Sequence, residues 1–181
     1  MGMRVIAGIY RHRILVGPTD DPEIRPTKDR IREAFFSSLG DISGKTFLDL
    51  YAGSGSMGIE AISRGASKST FVDKNDKAIH YVNENLKSLK IENAEVLKIT
   101  DIQALALFND RKRQFDIIYI DPPYESGQYE EVISYIFEHN LLSDNGILAF
   151  ESKRQVTLNP LWYNIIKEYH YGEISVTVLR K

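Results

Sequence analysis

From Lys45 onward, short runs rich in β-branched and aromatic residues alternate with stretches of helical period, and this alternation restricts the chain more than any other feature. Strand–helix repeats bury both faces of their strands only as a largely parallel sheet with crossover helices on either side. Five such strands are expected, at residues 46–50, 68–72, 94–98, 115–120 and 146–151. The clearest helix begins near Asp76 and turns Ile79, Val82, Leu86 and Leu89 inward; another runs from about Tyr129 to Glu138 on Val132, Ile133, Ile136 and Phe137. The tail breaks the pattern. Residues 164–171, Gly172 and residues 173–180 read as an antiparallel hairpin closing the sheet.

The first 40 residues stand apart from this repeat. Residues 4–16 hold two β-prone runs around Gly8 and suggest a small hairpin, an appendage to the core. Residues 27–39 have helical spacing, with Thr27 as cap, Gly40 as stop, and Ile31, Ala34, Phe35, Ser38 and Leu39 inward. Lys28, Arg30, Arg32 and Glu33 fall on the other face. The length of 181 residues fits one domain, an arm and helix at 1–40 and an α/β core at 41–181.

Composition removes several kinds of chemistry. With no cysteine, the chain has no disulfide, no thiolate zinc site and no cysteine nucleophile. No apolar run approaches the ~18 residues that span a bilayer, so a soluble, cytoplasmic protein is expected. A net charge of −2 gives no global attraction to a polyanion, so any nucleic-acid contact must come from a local patch. Residues 1–32 supply one: Arg4, Arg11, Arg13, Arg25, Lys28, Arg30 and Arg32 outnumber Asp20, Asp21, Glu23 and Asp29.

The first core strand ends in Asp49-Leu50-Tyr51-Ala52-Gly53-Ser54-Gly55-Ser56-Met57-Gly58, a Gly-x-Gly-x-x-Gly turn leading into a helix. Glycines let backbone approach a ligand closely, and a helix N-terminus offers free N–H groups. Asp73 ends the next strand, where a carboxylate can accept from ribose hydroxyls. An adenosine-containing cofactor follows. Asp49 separates the two main classes: a carboxylate there would repel a pyrophosphate but suits the ammonium of a methionine moiety, which favours S-adenosylmethionine. Asp101 has two open readings, the adenine amine or a helix cap, and Lys74 and Asn75 either touch the adenine edge or precede a helix.

Asp121-Pro122-Pro123-Tyr124 follows the fourth core strand, at the sheet edge where open α/β folds bind ligands. Consecutive prolines remove donors and stiffen the chain, turning carbonyls toward a substrate. An exocyclic base amine is a poor nucleophile until its N–H groups are held, which Asp121 and the Pro122 carbonyl can do, while Tyr124 offers a stacking face. Transfer from a sulfonium then needs alignment, with no metal and no covalent intermediate.

Together, Arg4-Val5-Ile6-Ala7-Gly8, the block 25–33, the stretch 49–66 and Asp121-Pro122-Pro123-Tyr124 resemble the bacterial 16S ribosomal RNA guanine-N2 methyltransferases of the RsmD type. The N-terminal blocks discriminate best, since Asp-Pro-Pro-Tyr also occurs in adenine-N6 and cytosine-N4 methyltransferases. The resemblance implies a class I, Rossmann-like methyltransferase fold with seven strands, the last antiparallel. Its substrate would be a guanine of 16S rRNA, presented in a small-subunit particle carrying ribosomal proteins. It implies catalysis by Asp121, Pro122 and Tyr124, and cofactor binding by Asp49, Tyr51, Gly53, Gly55, Asp73, Lys74 and Asp101. Phosphate contacts would come from Arg4, Arg11, Arg13, Arg25, Lys28, Arg30 and Arg32, although block 25–33 could instead close over the cofactor. Asp73 stands where the family usually has Glu, and Tyr51 where Phe is common. Two rivals from other classes are a nicotinamide-dependent oxidoreductase and a non-catalytic RNA-binding module.

Overall fold

Thr46–Leu50 (β1) has no polar face to spare: Phe47 points to one side of the sheet, Leu48 and Leu50 to the other, and all three are buried. Such a strand has to lie inside a sheet covered by helices on both faces. In the computed structural model, which describes residues 3–18, 29–122 and 129–181, this is what surrounds it. Asp29–Leu39 (α1) precedes β1, and Ser56–Ser63 (α2), Lys68–Asp73 (β2), Asp76–Leu89 (α3), Ala94–Lys98 (β3), Asp101–Asp110 (α4) and Phe115–Ile120 (β4) follow. Tyr129–Glu138 (α5), Leu142–Ser152 (β5), a 3-10 turn at Pro160–Trp162, Ile165–Tyr171 (β6) and Ile174–Arg180 (β7) complete the chain.

The strands form one sheet in the order β3-β2-β1-β4-β5-β7-β6, with β7 antiparallel to both of its neighbours. Helices α4 and α5 bury Leu105, Phe108, Val132, Ile133 and Ile136 on one face; α1 and α2 bury Phe35, Phe36, Met57 and Ala61 on the other. Local chemistry fixes the ends. Asn75 caps α3 by accepting from the Lys77 and Ala78 N–H groups, and Thr100 with Gln103 forms a capping box on α4.

Three expectations need correcting. The arm is no loose appendage: Val5 and Leu15 are buried with Ile59, Ile62, Phe71 and Val82, although among its described residues only Arg4 and Ile14 form an antiparallel bridge. Strand β5 begins at Leu142 rather than at 146, because it absorbs the polar residues 143–145 through a register shift opposite Phe115 and a left-handed Asn145 (φ 60°). Ile79 is only half-buried, and Ala78 and Asn85 take inward places on α3. Thr27, the expected cap of α1, lies outside the described residues. No helix among the described residues is long and apolar enough to cross a membrane.

Candidate active site at the carboxyl edge of the sheet

Strands β1 and β4 are neighbours, yet the chain leaves β1 toward β2 and β4 toward β5. The crossovers diverge there, which opens the crevice where sheets of this kind hold ligands. Asp49 stands on the β1 side of it, paired in register with Tyr119 of β4. Its carboxylate is 2% exposed and accepts from the Gly58 N–H at 2.9 Å. Burial pushes its pKa up to about 7; the Gly58 N–H opposes the shift and the charge of Asp73 adds to it.

The glycine turn is built for close approach. Gly53 and Gly55 have φ of 54° and 79°, and Gly55 heads α2 without a side-chain cap. A Cβ on Gly58 would stand 2.3 Å from the Phe71 ring, so this glycine is needed for helix–strand packing. Asp73 accepts from the Gly53 and Asn75 N–H groups, each at 2.9 Å, and so ties the turn to the end of β2. Tyr51 also sits at positive φ (77°), and its hydroxyl donates to Asp101 at 2.5 Å. Asp101 is therefore not the cap of α4, a role that Thr100 fills, but the partner of a tyrosine on the turn. Lys74 is exposed beside Asp73.

On the β4 side, Asp121 is half-buried and Pro122 buried, while Tyr124 lies outside the described residues. Sequence reasoning missed the groups around Asp121. The Tyr119 hydroxyl donates to Glu151 Oε1, and burial, with the charges of Glu151, Asp121 and Asp49, raises its pKa far above that of a free phenol. Tyr129, 1% exposed, has a hydroxyl with no hydrogen-bond partner among the described residues; burial and the charges of Asp121 and Glu151 raise its pKa too. A signal for Glu151 existed: like Asp49, Asp73 and Asp121, it is an acid at the carboxyl end of a strand.

The arm residues divide. Arg11, Arg13 and Arg30 are exposed, Arg4 is half-exposed with Nε 3.7 Å from Asp29, and Arg25 and Lys28 lie outside the described residues. Arg32 is a correction: it is completely buried, donating to the Arg4 carbonyl and to Asp29 Oδ1, with Nε 3.7 Å from the buried Glu60. Helical spacing placed it on the charged outer face, but the docked arm covers Arg32 while leaving Arg30 and Glu33 exposed. Glu60 also accepts from the Ile6 and Ala7 N–H groups at 2.8 and 3.0 Å, and Asn85 pins Val16 and the Ser54 carbonyl. The arm is thus fastened to the helix behind the glycine turn and to the turn itself.

The family model described as conserved hypothetical protein 95 matches residues 3–180. The ribosomal RNA small subunit methyltransferase D of Escherichia coli K12 is 38% identical over 182 residues, covering 99% of this chain and 90% of its own length. The chain belongs to the RsmD family. The Haemophilus influenzae relative of the same name is 35% identical over 178 residues, 96% of this chain and 91% of its own. A solved E. coli chain, yhhF, provisionally named a methyltransferase, superposes with a TM-score of 0.86 at 29% identity, covering 100% of this chain and 98% of its own. A precorrin-6y methyltransferase from Geobacter metallireducens, at 18% identity, shares the fold with a TM-score of 0.68. With the strand order above, this is the class I methyltransferase fold that the resemblance to RsmD implied.

Proposed function

We propose that the chain transfers the methyl group of S-adenosylmethionine to the exocyclic N2 of a guanine in 16S rRNA of the small ribosomal subunit. The observation that carries this reading is the pairing of two carboxylates across one crevice: buried Asp49 beside the glycine turn, and Asp121 at the end of the neighbouring strand. The relatives named ribosomal RNA small subunit methyltransferase D supply the substrate class.

The residues present fit the cofactor. A carboxylate whose pKa burial has raised to about 7 gains from a cation, and the ammonium of a methionine moiety is one. When bound, S-adenosylmethionine supplies an electrophilic methyl group. Asp49 holds the amino-acid end, Gly53 and Gly55 let backbone close on it, and Asp73, Lys74, Tyr51 and Asp101 line the adenosine side. Asp121 and the Pro122 carbonyl accept from the target amine, bending it out of conjugation and stabilising the positive charge that develops on nitrogen. Tyr124 provides a stacking face, and Arg4, Arg11, Arg13, Arg25, Lys28 and Arg30 meet phosphates of the RNA within the small-subunit particle.

Two measurements test this. S-adenosylhomocysteine at 100 times its dissociation constant should add about 2.7 kcal/mol to stability; stabilisation by a reduced nicotinamide dinucleotide alone would end the reading. Asp121→Ala should lower methyl transfer by about 10²–10³-fold, with affinity for small subunits little changed. Unaltered turnover would remove Asp121 from the mechanism.

A further inference from the structure

The three amine-bearing bases show different edges to a protein. Guanine presents an acceptor (O6), then donors at N1–H and the 2-amine; adenine and cytosine each place a ring-nitrogen acceptor next to their amine. A site for guanine therefore needs two acceptors flanked by one donor, and unpaired polar groups penalise the wrong base.

The crevice holds that set beside the residues already assigned. Ile120 pairs with Phe150, so Asp121 and Glu151 follow one another across the ends of β4 and β5. Glu151 is 2% exposed, and the Tyr119 hydroxyl donates to its Oε1, fixing the carboxylate's orientation. The Tyr129 ring is held between the Phe150 ring, centroids 6.1 Å apart, and the Arg154 guanidinium, 5.4 Å from its centroid. Glu130 holds that guanidinium through two hydrogen bonds of 2.8 Å. The Tyr129 ring is held in place, while its hydroxyl, which feels the charges of Asp121 and Glu151, is buried and makes no hydrogen bond among the described residues. A buried hydroxyl without a partner costs stability unless a ligand completes it.

We propose that Glu151 and Tyr129 select the base: Glu151 accepts from guanine N1–H and the Tyr129 hydroxyl donates to O6, while Asp121 holds the 2-amine. The proposal rests on the guanine reading above. Adenine or cytosine would set a ring-nitrogen lone pair against Glu151, and adenine would leave Tyr129 without an acceptor.

The test uses the full chain and undermethylated small subunits carrying either guanine or 2-aminopurine at the mapped target nucleotide. 2-Aminopurine keeps the 2-amine but lacks O6 and has an acceptor at N1. Wild type should favour guanine by about 10²-fold or more in kcat/KM. Tyr129→Phe removes only an unpartnered hydroxyl, so the fold should stand; the guanine rate should fall about tenfold with the 2-aminopurine rate unchanged. Glu151→Gln should lower the guanine rate by about 10²-fold and spare 2-aminopurine, because an amide can donate to its N1. Equal losses on both bases, or an unchanged ratio in Tyr129→Phe, would overturn the assignment. If Glu151→Gln fails to fold by circular dichroism, the ratio in Tyr129→Phe decides alone. A wild type that leaves guanine unmodified fails the underlying reading instead, before either variant is needed.

Discussion

Two regions of this molecule bury acids, and they treat them in opposite ways. Behind the glycine turn, Glu60 accepts from the Ile6 and Ala7 N–H groups and from Arg64 Nε at 2.7 Å, with buried Arg32 Nε 3.7 Å away as an ion-pair partner. At the carboxyl edge of the sheet, Asp49 is as deeply buried but, among the described residues, accepts only from the Gly58 N–H, and burial lifts its pKa to about 7. The first acid is satisfied by the protein's own donors and fastens the arm to α2, although Arg32 Nε and Nη1 beside it make no hydrogen bond among the described residues. The second is incomplete until something positively charged arrives. Depth of burial thus does not separate a structural acid from a functional one; the supply of donors does.

Stability separates the two most sharply. Glu60→Ala strips the arm of its acceptor and leaves buried Arg32 with only the more exposed Asp29 as an acid partner, which should cost about 3–5 kcal/mol in urea unfolding. Asp49→Asn removes a charge that the protein alone barely compensates and should be neutral or stabilising near pH 8. Equal losses in the two variants would erase the distinction. The wild-type pH profile carries the same sign. Because burial raises the Asp49 pKa from an ordinary 3.8, its contribution to stability is fully present below pH 4 and is lost as pH climbs through about 7.

Next in size is the effect on cofactor affinity. If the ammonium requires an ionised Asp49, binding of S-adenosylhomocysteine should strengthen by up to about tenfold per pH unit below 7 and level off above it, with proton release on binding. Asp49→Asn should flatten that profile and weaken binding by about 10–100-fold at pH 8, the worth of a charge-assisted hydrogen bond. A wild-type profile already flat from pH 5 to 8 would show that Asp49 does not meet the cation.

Much of this arrangement could be read before the fold was known, for reasons the two regions make plain. Strands β1, β3 and β4 and helix α5 fall where hydrophobic period put them, because each is buried by its immediate neighbours in the repeat. The acids at strand ends were visible for the same reason: once the strands are placed, so are Asp49, Asp73 and Asp121. The burial of Arg32 was not legible, since its partner Glu60 is 28 positions away and helical spacing alone put a charge outward. The charged Glu60 amid Met57, Ile59, Ala61 and Ile62 was the available clue. Glu151 was missed because its place beside Asp121 depends on the β4–β5 register, and Tyr129 because its place depends on how α5 packs on Phe150.

The smallest expected effect lies on the arm's outer surface. Arg11→Ala and Arg13→Ala should each reduce the slope of log affinity against log salt by about one for small subunits, with kcat nearly unchanged. Slopes that do not move would assign the arm to holding the glycine turn alone.

The central claim, methylation of guanine N2 in 16S rRNA, is tested most directly by mass mapping of the methylated base after reaction with undermethylated small subunits and S-adenosylmethionine. One N2-methylguanine in 16S rRNA is the predicted product, formed by wild type and nearly absent with Asp121→Ala. A methyl group on adenine or cytosine would contradict the guanine assignment, and no methylated base at all would contradict the function.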